Sequence, residues 1–116
     1  MTRTTNPNFM AGVPELMILR LLHEHDMYGY QLVQAIRTET GDVVSLGEGV
    51  IYTVLHALER AKAVKSRRKM VDGRSRNYYS VTAQGEKRYA ELARSWNTLA
   101  GAIQSVMKGE RHVAGS

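Results

Sequence analysis

The chain has 116 residues, 43% of them apolar and 23% charged, a size and balance that fit one soluble domain and leave no room for a second. It holds no cysteine, which excludes a disulfide scaffold, a thiolate metal site and a cysteine nucleophile and suits a reducing compartment. The net charge of +5 is clustered: residues 60–76 hold eight basic side chains (Arg60, Lys62, Lys65, Arg67, Arg68, Lys69, Arg74, Arg76) and one acid, Asp72, so this segment is +7 and the rest of the chain −2. A polyanionic partner is the commonest reason for such a segment, and a basic loop kept for solubility is the bland alternative. The longest apolar stretch, residues 16–22, contains Arg20 and falls short of the roughly 18 residues that suggest a membrane span. The first fifteen residues hold one basic side chain, Arg3, and no apolar block, so the expectation is a cytoplasmic protein without signal or anchor.

Residues 1–12 lack periodicity and read as a flexible arm that orders only where Phe9 and Met10 find a surface. Pro14 suits a first helical position and Glu15 the positive end of a helix, which places a first helix over residues 14–25. Its Leu16, Met17, Ile18, Leu19, Leu21 and Leu22 cover more than one face, so it is buried on two sides or meets a partner subunit on one. After a turn at Asp26 and Met27, a short amphipathic helix starts near Gly29, carries Leu32, Val33 and Ile36 inward, and stops at Gly41. A third helix over residues 48–61 sets Ile51, Val54, Leu55 and Leu58 on one stripe and Gly49, Tyr52, Thr53, His56 and Arg60 on the opposite face.

From Val64 the pattern turns strand-like in VKSRRKM and again in RNYYSV, with Asp72 and Gly73 between them as a hairpin signal. The basic segment therefore lies on a β-ribbon whose alternate side chains point away from the body. Thr82 can cap a last helix over residues 82–107, although Gly85 stands where a full capping box has Glu or Gln. Along it Tyr89, Leu92, Trp96, Leu99, Ile103 and Val106 form a heptad seam roughly 39 Å long at 1.5 Å per residue, longer than the small body can cover. A second copy of the chain is the expected cover. Residues 108–116 read as a frayed tail.

Three short helices followed by a ribbon is the order of a winged helix-turn-helix, giving a mainly α fold with a small β-hairpin over residues 13–81 and a long C-terminal dimerisation helix over residues 82–107. Three stretches, YGYQL at residues 28–32, GVIYTVLHALE at 49–59 and RNYYSVTAQG at 76–85, followed by Trp96, make the chain resemble the PadR-like family of bacterial transcriptional regulators, in its compact form with a single C-terminal helix. The resemblance spans residues 14–107 and implies a homodimer whose last helix packs on the partner's first, repressing genes from near-palindromic DNA operators. Two positions depart from the family pattern. Lys62 stands where a glycine is usual after the third helix, so it either enters the left-handed region at roughly 1 kcal/mol or ends the helix another way. Val50 stands where a small hydroxyl is usual, and it cannot donate a hydrogen bond to a phosphate.

The DNA-contacting candidates are Tyr52, Thr53, His56 and Arg60 on the third helix, with Lys65, Arg67, Arg68, Lys69, Arg74 and Arg76 on the ribbon as phosphate contacts. Tyr52 could instead pack between helix and ribbon. Leu16, Leu19, Tyr89, Leu92, Trp96, Leu99, Ile103 and Val106 are the dimer-interface candidates. Trp96, the only tryptophan, serves as interface core or, near a two-fold axis, as an aromatic floor for a planar aromatic effector, with Phe9, Met10 and Leu16 lining the same space. A winged module that docks an acidic protein and no DNA is the competing reading of the same fold.

Catalysis finds little footing, and no cofactor or metal is expected. His23 and His25 lie two apart and point about 200° from each other on a helix, unlike an i, i+4 metal pair. GEGVIY starts like a dinucleotide loop, but Tyr52 stands where the third glycine belongs and no βαβ unit surrounds it. No serine sits in a GxSxG setting.

Overall fold

A computed structural model of the chain describes residues 12–109. Helix α1 (Val13–Glu24) opens at Gly12, whose φ of 79° is left-handed, with Pro14 and Glu15 in its first turn as the helix dipole favours. It runs through the middle of the subunit and touches each of the other helices and the sheet. Both its faces are therefore used within one chain. Leu19, expected at the dimer interface, is fully buried beside Ile18 and Leu22 in the subunit's own core. That expectation is corrected: of the two burials open to α1, Leu19 takes the internal one.

Where a turn was expected at Asp26 and Met27, residues Met27–Tyr28 form a strand, β1, that pairs with the last strand of the sheet. Tyr28 also ends where helix α2 (Gly29–Glu39) begins, and its N–H donates to Gln31 Oε1 at 3.1 Å. The end of α2 is closed by two nested bonds, Asp42 N–H to the Arg37 carbonyl at 2.8 Å and Gly41 N–H to the Thr38 carbonyl at 3.2 Å. This Schellman closure needs a left-handed residue, supplied by Gly41 at φ 59°.

Helix α3 (Glu48–Arg60) buries Ile51, Leu55 and Leu58 on its inner stripe, as the spacing predicts. It ends by the same device as α2, with Ala63 N–H donating to the Leu58 carbonyl at 2.9 Å and Lys62 N–H to the Glu59 carbonyl at 3.0 Å. Lys62 takes φ 64°, so a lysine accepts the left-handed position that glycine would fill without strain.

Strands β2 (Val64–Val71) and β3 (Arg74–Val81) form the wing, and the sheet order is β1-β3-β2, all antiparallel. The Asp72-Gly73 turn has φ of 52° and 75°, the two positive values of the tight hairpin turn that matches strand twist. It pairs Val71 with Arg74 and so sets the register of every residue behind it. At the base of the wing Thr82 ties three elements together. Its hydroxyl lies 2.7 Å from the Lys62 carbonyl and 3.0 Å from that of Ala63 as donor, and it accepts from Gly85 N–H at 3.0 Å. A Cβ on Gly85 would lie 2.1 Å from the Ala63 carbonyl oxygen, which is why the capping-box position is held by glycine rather than Glu.

Helix α4 (Ala83–Met107) lies along α1. Glu86 meets His23 Nδ1 at 2.8 Å, Tyr89 stacks on the His23 ring with centroids 6.3 Å apart, and Arg88 pairs with Glu15. Leu92 still packs partly on the core, whereas Ile103, Val106 and Met107 further along are exposed.

Candidate nucleic-acid interface

The open side of α3 is formed by Gly49, Val50, Thr53, His56, Ala57 and Arg60, all exposed. These positions fall opposite the Ile51, Leu55 and Leu58 stripe because the helix advances 100° per residue. Thr53 Oγ1 donates to the Gly49 carbonyl at 2.8 Å, so its hydroxyl hydrogen is engaged within the helix. Tyr52 sits on the flank of this face and is half-buried, packed on the core. A Cβ built on Gly29 would lie 2.5 Å from Tyr52 Cζ, so the tyrosine ring fills the space where any larger residue at the start of α2 would put its side chain. Tyr52 thus packs against α2, where the alternative to a DNA contact had been packing against the ribbon. His56 lies beside it, ring centroids 6.2 Å apart, and stays exposed.

The register divides the wing into two unlike faces. Lys65, Arg67, Lys69, Arg74 and Arg76 share one face with Tyr28 and Tyr78, whereas Arg68 points to the other. On the shared face Arg76 lies 4.5 Å over the Tyr28 ring and Lys69 4.9 Å over that of Tyr78, and the two rings meet edge-on at 5.2 Å. Cations over aromatic faces are held without neutralising carboxylates, so their charge stays available. Arg67 is different, with Asp26 3.5 Å from its guanidinium. Arg68 donates to Ser75 Oγ at 2.9 Å on the opposite face. Ser66 on that same inner face donates to Glu59 of α3 at 2.8 Å, which couples the base of the wing to the helix.

Sequence reading passed over the polar side of α2. Tyr30 is 45% exposed and its hydroxyl accepts from Gln34 Nε2 at 2.9 Å, one turn before exposed Arg37 and Thr38. In a helix-turn-helix the helix before the reading helix crosses the phosphate backbone, which is where such side chains stand. The signal was present in the i, i+4 spacing of Tyr30 and Gln34 opposite Leu32 and Ile36.

The remaining candidates gather on α4 and its groove against α1. Tyr89 and Leu92 pack partly on the subunit's own core, whereas Trp96, Leu99, Ile103 and Val106 are 45%, 54%, 50% and 78% exposed. Trp96 and Leu16 are brought together, and both border two grooves. One, of about 340 Å³, runs between α1, α2 and α4 past Arg20, Glu39 and Tyr89; the other, of about 170 Å³, lies beside Gly12 and Leu99. Phe9 and Met10 lie outside the described residues. Among the described residues no three His, Cys, Asp or Glu side chains converge as a metal site would need, and no helix is long and apolar enough to cross a membrane.

The sequence pattern of the transcriptional regulator PadR-like family matches residues 18–91. The chain is 32% identical over 108 residues to a transcriptional regulator of Mycobacterium tuberculosis, covering 93% of this chain and 95% of that one. A transcriptional regulator from Clostridium thermocellum superposes with a TM-score of 0.79 at 28% identity, over 87% of this chain and 96% of the other. A PadR-like transcriptional regulator from Bacillus cereus superposes with a TM-score of 0.77 at 27% identity, over 89% and 99%.

Proposed function

The chain belongs to the transcriptional regulator PadR-like family, a family of regulators rather than enzymes, and from that premise we propose that it acts as a cytoplasmic homodimeric repressor on a near-palindromic DNA operator. The observation that carries this reading is the placement of five wing cations on one strand face, joined at its base to a helix whose outer side is exposed among the described residues. The helix enters the major groove, and the wing and the polar side of α2 hold the phosphates on either side of it. In a dimer the two reading helices face half-sites about one helical turn, or a multiple, apart.

Selection of bound sequences from a random DNA pool, followed by a salt titration on the enriched site, tests the reading. About four phosphate contacts per subunit give a slope of log K against log salt near −7, at roughly −0.9 per contact. A symmetric enriched site with that slope supports the repressor. A slope near zero, or binding without sequence preference, favours instead a winged module that docks an acidic protein.

The pairing of Leu16 and Trp96 across two grooves supports a second element, relief of repression by a planar aromatic effector bound against the tryptophan. Quenching of the single tryptophan by such compounds is expected. An unchanged emission spectrum across a chemically broad aromatic panel would remove the effector from the proposal.

A further inference from the structure

The reading helix offers its ligand methyl groups where polar groups would be the ordinary choice. Val50, in the first turn of α3, is 46% exposed on the outside of the molecule. One turn later stands Thr53, also exposed, whose hydroxyl hydrogen is spent on the Gly49 carbonyl, so towards a neighbour it offers its γ-methyl and an oxygen that can only accept. Ala57 continues the row one turn further. Gly49 directly precedes Val50 and Gly47 lies two residues before that, with exposed Glu48 between them; both glycines are exposed and have open space where a Cβ would stand. The start of α3 therefore allows close approach to its backbone and presents an apolar edge when it arrives.

We propose that Val50 and Thr53 select thymine, by packing their methyl groups against the C5-methyl of one or two thymines in each half-site. The inference rests on the DNA-reading function proposed above and adds which base the helix favours. Its chemistry follows from the major groove, where thymine alone among the four bases shows a methyl group and every other edge shows hydrogen-bonding atoms or bare ring carbon. An aliphatic side chain gains nothing by facing an unpaired donor or acceptor, whose desolvation opposes the contact. Against a methyl it removes apolar surface from water on both partners. The N-terminal part of a reading helix is also the part that reaches base edges.

The test uses the full chain and the site enriched from a random pool. Each thymine is replaced singly by deoxyuridine, which removes the methyl and leaves every hydrogen-bonding atom in place. Affinity should fall about fourfold per methyl at one or two positions of each half-site and stay unchanged at the others. Val50→Ala and Thr53→Ser, both at exposed positions outside the core, should abolish the difference between thymine and deoxyuridine at those positions. An enriched site indifferent to the loss of every thymine methyl would overturn the inference and leave the DNA-binding reading intact. A penalty that persists unchanged in both variants would also overturn it, since the methyl would then be read by other residues. A pool from which no sequence is enriched would remove both.

Discussion

Gly29 shows how one residue couples two helices. Any Cβ there would stand 2.5 Å from the Tyr52 ring, so the smallness of Gly29 sets how closely α3 approaches the start of α2. Gly29→Ala should therefore lower stability by about 1–3 kcal/mol through overpacking, read as a lower urea midpoint. In the Tyr52→Ala background the same change should cost far less, because the clash has lost its partner; equal losses in both backgrounds would show the two positions to be independent. Tyr79 offers a residue-level test of the core. Its side chain is buried, and that burial, with Glu59 and then Tyr52 nearby, raises its pKa above the ordinary 10.0. In alkali the unfolded chain then loses the Tyr79 proton before the folded chain does. Stability should fall as pH rises above 10 and level off only beyond the raised value, and Tyr79→Phe should show a shallower fall over the same range.

At the scale of elements, the boundaries of the long helices were legible because their stripes and caps are local. Helices expected over residues 14–25, 48–61 and 82–107 stand at Val13–Glu24, Glu48–Arg60 and Ala83–Met107. Strand β1 was not legible, since two residues cannot show an alternation and its partner Tyr79 lies far along the chain. Leu19 was misplaced for a related reason: a helix that is apolar on more than one face does not say which neighbour covers which side. The wing was legible as charge but not as two faces, because the division depends on register, which the Asp72-Gly73 turn sets once the hairpin closes. That division predicts unequal roles. Lys65 and Arg74 stand on the cationic face without a carboxylate within ion-pair distance among the described residues. Lys65→Gln and Arg74→Gln should each reduce the salt slope of the dimer by about 2, one contact from each subunit, on the operator and on unrelated DNA alike. A loss confined to the operator would mean that these residues read bases.

At the scale of the whole molecule, α4 divides into a part fastened to its own subunit and a part whose large apolar side chains stand exposed. The first is fastened by Glu86 to His23, Arg88 to Glu15 and Tyr89 to the His23 ring. The second carries Trp96, Leu99, Ile103, Val106 and Met107 in the open, a row of large apolar side chains along one helix. A monomer gains nothing from that row, and leaving it wet invites association, so a symmetric partner presenting the same row is its natural cover. The separation of the two parts makes assembly and folding independently testable. Leu99→Glu combined with Ile103→Glu puts two charges where the partner would bury them, yet both positions are at least half exposed and lie beyond the fastened turns. The variant should sediment as a single chain of 13.0 kDa where the parent sediments at twice that mass, and it should still unfold cooperatively. Its salt slope should fall to about half, since only one subunit's phosphate contacts remain, and its affinity for the enriched site should drop at least a hundredfold with the loss of the second reading head. Should the doubly charged variant sediment as a dimer, the partner would have to be held by surfaces other than the exposed row on α4.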